Sequence, residues 1–359
     1  PCRHATAPRL AIGASIVSRP PLSRTARLLV LLATVLVLGG VAVGATLHAA
    51  GRAAQKDRSQ AGGPAVAPGS VRLDDPRHTL FRNMAWGPHR DEITAVPAGR
   101  LSGPRTASGV RCLRFHEASG TGICLRAVHG KLRDTYRAVL LDRRLRELRH
   151  YDVAGTPTRA RVSPGGHTVA WTVFVSGDSY AGTAFSTRTS LLDTRTWRLD
   201  ANLETYALTV DGHPVHAVDI NIWGVTFADD NRFYATAATG GKTYLVRGDR
   251  AARTLTALHT NVECPSLSPD GTRIAYKKRV NVADPDAPWR LYVLDLHTLH
   301  ETATGEHRNV DDQAVWRDDR TLVYSLPGDF GSDLWTVPAD GTGTPRRLVT
   351  AALAPAFPR

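Results

Sequence analysis

Only four cysteines occur in the 359 residues, and no two stand as Cys-x-x-Cys. That excludes a zinc ribbon and thioredoxin-type chemistry. No glycine-rich phosphate loop or dinucleotide fingerprint is present, so the usual nucleotide cradles are missing. After Leu47 no stretch sustains apolar residues at helical spacing, which argues against a helical or α/β domain. Acid is scarce at the start: residues 1–60 hold eight Lys or Arg against Asp57 alone, supplying +7 of a formal net charge of +12. The remaining +5 is ordinary for the size of the chain. The basic run Arg143-Arg144-Leu145-Arg146-Glu147-Leu148-Arg149 alternates with Leu and Glu, as a solvated face does, and has no aromatic residues to stack on bases. A nucleic-acid partner is therefore not expected.

What is present begins with Leu28–Leu47, twenty residues without a charge. As a helix this run is about 30 Å long, the thickness of a bilayer's hydrocarbon core. Arginines crowd its amino-terminal side, which favours an inside amino terminus. A secretory signal is the rival reading, but Leu47-His48-Ala49 makes a poor cleavage site and the run is long for one. Either reading exports the remainder of the chain. The expected organisation is a basic cytoplasmic segment over 1–27, an anchor at the cell membrane over 28–47, a Gly/Pro/Ala-rich flexible linker over 48–74 and an extracytoplasmic domain over 75–359.

That domain repeats itself. Ser163-Pro-Gly-Gly-His-Thr-Val-Ala-Trp171, Phe227-Ala-Asp-Asp-Asn-Arg-Phe-Tyr-Ala235, Ser268-Pro-Asp-Gly-Thr-Arg-Ile-Ala-Tyr276 and Trp316-Arg-Asp-Asp-Arg-Thr-Leu-Val-Tyr324 align without gaps. Each joins a turn-forming quartet to a new apolar strand. Gly87-Pro-His-Arg-Asp-Glu-Ile-Thr-Ala95 fits the frame weakly, and a degenerate copy spans Arg111–Val128 with its turn at Glu117–Gly120. Further strand signals follow each hairpin, and the turns step by 64, 41 and 48 residues. Four short strands per unit at this spacing predict an all-β fold, a β-propeller of six blades, with five or seven left open by the long 164–226 insert, and an N-terminal transmembrane helix. A β-sandwich is the alternative, but it has no need of an in-frame turn recurring at blade spacing. One four-stranded blade cannot bury both its faces, so neighbours must cover each other and the ends must pair, here Leu80–Trp86 with Arg346–Phe357.

Ser268-Pro-Asp-Gly with Arg273-Ile-Ala-Tyr, then Trp289-Arg-Leu-Tyr-Val-Leu-Asp and Asp333-Leu-Trp-Thr-Val-Pro-Ala-Asp-Gly-Thr-Gly, resemble the repeats of TolB-like propeller proteins over residues 75–350. In layout the chain is similar to the membrane-anchored TolB-like proteins of high-GC Gram-positive bacteria. It departs from TolB of the Tol–Pal system, since an anchor stands where that protein has an amino-terminal α/β domain. The resemblance implies a fold and leaves activity open.

Cys112 and Cys124 flank a Gly/Ser-rich reversal, so a hairpin would bring them together, and outside the cell a disulfide is expected. Cys264 reads as a small buried apolar residue. In a propeller the innermost strands line a channel and the loops entering them rim one mouth. Counting back from the aligned turns predicts Glu263, Asp311, Asp312, Asp219, Asn221, Arg159 and Arg161 at that rim. Such carboxylates would suit a basic ligand group or a calcium ion; no other cofactor is expected. The competing reading is that they cap loop amides or pair with the arginines. Gly177-Asp-Ser179-Tyr-Ala181 misses the nucleophile-elbow pattern at its last position. His213-Pro-Val-His216 lacks the further ligands a metal site needs. Asp284-Pro-Asp-Ala-Pro288 lacks the Gly and Glu of a calcium loop. The expected function is a binding scaffold for an envelope protein, peptide or glycan. The alternative is an envelope glycan- or peptide-processing enzyme using the rim acids. No hydrolase domain succeeds the repeats, so peptidase activity in this chain is not expected.

Overall fold

The computed structural model describes residues 23–56, 58, 62–130, 134–175, 186–281, 283–284 and 286–358. The expected cytoplasmic segment over 1–27 lies mostly outside them, as does Gly177–Ala181. The chain divides into two units, 1–55 and 56–359.

Among the described residues the first unit is a helix, Arg24–Lys56, whose last residue begins the second unit. Ser23 caps it, its Oγ accepting from Ala26 N at 3.2 Å. Within it, the Thr34 and Thr46 hydroxyls donate back to Val30 O and Val43 O at 2.8 Å each. A hydroxyl satisfied inside its own helix exposes no unmet donor to a hydrocarbon environment. Residues 24–51 are long and apolar enough to cross a membrane.

The second unit is a six-bladed propeller, each blade a separate sheet whose four main strands run antiparallel. Blades two, three, five and six each have four strands, in chain order from the axis outward. Their innermost strands are Arg114–Ala118, Thr156–Val162, Glu263–Leu267 and Val315–Asp318. Blade four runs outward from Asn221–Phe227. It gains an edge hairpin, Ala207–Val210 and His213–Val215, whose first strand pairs in parallel with Thr254–Thr260. This hairpin accounts for the 64-residue step and places His213 on an exposed edge strand. Blade one joins the two ends of the domain. Ala352–Ala356 is its innermost strand and pairs with His78–Asn83, Leu80 opposite Ala356 and Asn83 opposite Ala352.

Two expectations need correction. Gly87–Ala95 is not a fifth in-frame copy: it connects the second and third strands of blade one, His78–Asn83 and Glu92–Pro97. The equivalent turn is absent from that blade because its first two strands come from opposite ends of the domain. The 48–74 stretch is also not linker throughout. The helix runs on to Lys56, Val66–Pro68 pairs with Arg105–Ala107, and Leu73 is fully buried.

Strand alternation explains why a ring forms. Successive side chains point to opposite faces, and here each face meets a different neighbour. Ile274 and Tyr276 join the core between blades four and five, while Ala275 joins that between five and six. Leu322 and Tyr324 face blade five, and Val323 faces blade one beside Phe81. The other three interfaces are built around Ile93 and Phe115, Ile123 and Trp171, and Leu191 and Phe233.

The recurrent turns also bind one another. In blades three and five the turn Ser accepts from the residue five positions on, Thr168 N and Arg273 N, at 2.9 Å each. Ser163 Oγ then donates to Asp230 of blade four at 2.6 Å, and Asp270 N donates to Asp319 of blade six at 2.9 Å. Acids in these quartets thus hold blades together. The expected disulfide is present: Cys112, leading into blade two, is bonded to Cys124 on its second strand, with Cα atoms 5.3 Å apart.

Candidate functional site: the central channel

All six innermost strands contribute to a cavity of about 310 Å³, so it lies on the axis. Its walls include the hairpin residues Ser119, Pro164 and Ser268, which places it at the mouth where the repeated turns gather. Apart from Arg161, which reaches this cavity, the sequence-predicted rim residues lie toward the opposite mouth, where loops enter the innermost strands.

There the charges are committed to one another. Asp312 accepts from Arg114 Nη1 at 2.9 Å and lies 3.6 Å from Arg159 Nη1. Burial opposes its ionisation, but Arg114 and Arg159 outweigh that and hold the carboxyl below its ordinary range. Arg159 also donates to Thr158 O at 2.9 Å and to the buried Cys264 Sγ at 3.4 Å. Lys277, itself nearly buried, bonds Asp311 at 2.7 Å, lies 3.7 Å from Glu263 and sits 3.9 Å from the centre of the Trp289 ring. Among the described residues no three carboxylate, imidazole or thiol groups come together as a cation site. Glu263 and Asp311 instead share an ammonium group.

Gln313 closes much of the remaining space. Its Nε2 donates to Pro265 O at 2.5 Å and to Gly224 O at 3.2 Å. Those carbonyls are available because the innermost strands of blades four and five bulge, between Trp223 and Thr226 and between Glu263 and Ser266. Gly224 and Cys264 take left-handed φ values of 66° and 51° at these bulges. A cavity of only about 40 Å³ remains beside Arg159 and Asp312.

Asp219 and Asn221 do not join this cluster. Asp219 accepts from Thr239 Oγ1 at 2.7 Å and from Gly240 N at 2.8 Å, which lowers its pKa and caps a hairpin of blade four. Asn221 Oδ1 accepts from Thr187 N at 2.7 Å and ties blade four to blade three. Beside it Glu204, pushed up to about 7 by burial, receives Thr189 N at 3.1 Å and Ile222 N at 3.3 Å.

Arg161 lies where the large and small cavities meet, together with His116. His116 Nδ1 accepts from Val162 N at 3.1 Å, which puts the ring proton on Nε2. Burial, with the charge of Arg161, keeps this ring well below its usual pKa, so it is neutral at pH 7. Burial lowers Arg161 to about 10, which still leaves it charged. Glu117, also on the cavity wall, is pushed up to about 8 by burial and by the nearby charge of Asp74.

Of the residues expected at the rim, the structure places Arg159, Arg161 and Asp312 around the axial cavities and Glu263 and Asp311 beside Lys277; Arg114, His116, Lys277 and Gln313 were not among those expected. A usable signal existed for Arg114 and His116. The structure sets the blade-two turn one residue later than Glu117–Gly120, at Ala118–Thr121, and Arg114 and His116 lie four and two residues before Ala118, as Arg159 and Arg161 do before Ser163.

No protein-family model matches the chain, and no curated protein matches it. Among solved structures it is similar to TolB from Acinetobacter baumannii, with 16% identity and a TM-score of 0.53, over 78% of this chain and 65% of that one. The chain thus spans just under two thirds of that TolB's length. An oligogalacturonate lyase from Vibrio parahaemolyticus is more distant, at 10% identity and TM-score 0.48, over 75% of this chain and 76% of that one. A puromycin-hydrolyzing peptidase from Mycobacterium tuberculosis shows 16% identity and TM-score 0.46, over 76% and 43%. At such identities the likeness establishes a TolB-like propeller fold and nothing of its chemistry.

Proposed function

We propose that the chain is a membrane-tethered, extracytoplasmic propeller that binds a partner at the cell envelope, a protein, peptide or glycan, and does not turn a substrate over. The observation that carries this reading is the mutual commitment of the rim charges. Asp312 is held by two arginines, and Glu263 and Asp311 by one lysine. A general acid and base need a proton site facing substrate, and these groups face one another.

The helix over 24–51 and the arginines flanking it support the tether, and a disulfide suits an oxidising compartment. Labelling of intact cells with a membrane-impermeant amine reagent tests the placement. Lys242 is exposed on the propeller and should react. If it becomes labelled only after lysis, the propeller is not outside. Crosslinking on intact cells should then return a defined envelope partner whose capture survives Glu263→Ala. Turnover of an envelope glycan or peptide that Glu263→Ala abolishes in folded protein would replace binding with catalysis.

A further inference from the structure

The cavity at the turn mouth contains a buried cation with no ion-pair partner of its own. Arg161 is only 7% exposed, and its Nε has no hydrogen-bond partner. Among the described residues its guanidinium makes no ion pair either, in contrast to the other cations along the channel. Arg114 and Arg159 reach Asp312, and Lys277 reaches Asp311. The charge of Asp312 acts on Arg161 from a distance, but that carboxylate is already bonded to Arg114. A buried charge without a counter-charge is costly unless something supplies one.

The surroundings restrict what that something is. His116 turns its acceptor nitrogen to Val162, so the proton on its Nε2 is a second donor beside Arg161. The rest of the wall is mixed: Phe227, Leu267, Trp316 and Phe357 share it with the hydroxyls of Ser119, Thr226, Ser266 and Ser268 and with Glu117, which burial keeps protonated at pH 7. At about 310 Å³ the space is at the lower end of small-ligand sites.

We propose that this cavity binds a monocarboxylate carried on a compact apolar body, with Arg161 gripping the carboxylate and the apolar side chains of the wall receiving the body. The planar guanidinium fork matches the two oxygens of a carboxylate. One negative charge balances that of Arg161, whereas a phosphate dianion would bring a second negative charge that no other lysine or arginine of the wall balances. The carboxylate could belong to a free acid or to the end of a peptide chain. The proposal rests on the protein's being a binding module, yet it fails separately: loss of this site leaves capture of the envelope partner at the cell surface as a distinct result.

The test is thermal unfolding of the full chain in maltoside micelles, followed by tryptophan fluorescence. The probes are 4-phenylbutyrate, acetyl-Phe-Phe with a free carboxylate, the same dipeptide as its amide, and inorganic phosphate. At saturation a carboxylate probe should raise Tm by about 2–4 °C, and the amide and phosphate should not. A response to 4-phenylbutyrate alone assigns a free acid, and a response to the dipeptide alone assigns a peptide end. Arg161→Gln should unfold no earlier than the parent, because it removes an unbalanced charge, and should bind roughly 10- to 100-fold more weakly. Arg161→Lys keeps the charge but not the fork; it should fold and lose about tenfold in affinity. The proposal is overturned if neither acid shifts Tm, if the amide or phosphate acts equally, or if Arg161→Gln responds as the parent does.

Discussion

Arg114 Nη1 donates to Asp312 Oδ2 at 2.9 Å across 198 residues of chain. The bond links the innermost strand of blade two to the loop entering blade six, passing blade one, where the ring is closed by pairing of the domain's two ends. Asp312 also faces Arg159 of blade three, so three blades depend on one carboxylate. It acts as a hub, and each arginine as a spoke.

Removing the hub should therefore cost more than removing a spoke. Asp312→Asn leaves two arginines without a counter-charge and should destabilise the propeller by about 3 kcal/mol. Arg114→Gln leaves Asp312 its second partner and should cost roughly half as much. Urea unfolding of both variants measures the difference. Equal losses would show that the carboxylate is not shared.

Glu117 should make stability fall with rising pH. Its folded-state pKa, about 8, lies above the ordinary glutamate value of 4.5 that it regains on unfolding. Below the lower value both states hold the proton. Between the two, the unfolded chain ionises while the folded one does not, and stability declines by up to about 1.4 kcal/mol per pH unit. Above the higher value the decline stops. Glu117→Gln should remove this component, so the variant gains on the parent as pH rises from 5 to about 8. Parallel stability curves for the two proteins would contradict the assignment.

Gly224 should tolerate no side chain. Its φ is +66°, and a Cβ there would lie 2.8 Å from the Cα of Cys264 on the next blade. Both the conformation and the contact with backbone oppose Gly224→Ala, which should cost about 2 kcal/mol or more. Gly271 provides a control, with φ +73° and open space around it. Gly271→Asn should cost under about 1 kcal/mol, because Asn accepts left-handed φ more readily than most residues. Comparable losses at the two positions, read from urea midpoints, would remove the crowding argument.

Local chemistry made most of the fold legible. The Ser-Pro-Asp-Gly hairpin at residues 268–271 and its relatives announce themselves through Pro, Asp and Gly at fixed offsets, and the strands through alternation. Cys112 and Cys124 are only twelve residues apart across a recognisable reversal. The copy at Gly87–Ala95 was misleading for a topological reason. Turn residues are alike at any hairpin, and only strand pairing shows that this one joins second to third. The candidate site was less legible. Asp219 looks like a rim acid by position, but it finds the Thr239 hydroxyl and the Gly240 amide first. Lys277 meets Asp311 34 residues away, and Gln313 meets Gly224 across 89. No spacing rule announces such encounters.

By itself the sequence determined the repeat, its strands, the apolar helix and the short disulfide, because each depends on interactions within a few residues or on a period of two. Tertiary structure decided which charges cancel and which one is left over. That outcome depends on how six blades converge on an axis and where their innermost strands bulge, and those distances exist only once the ring has closed.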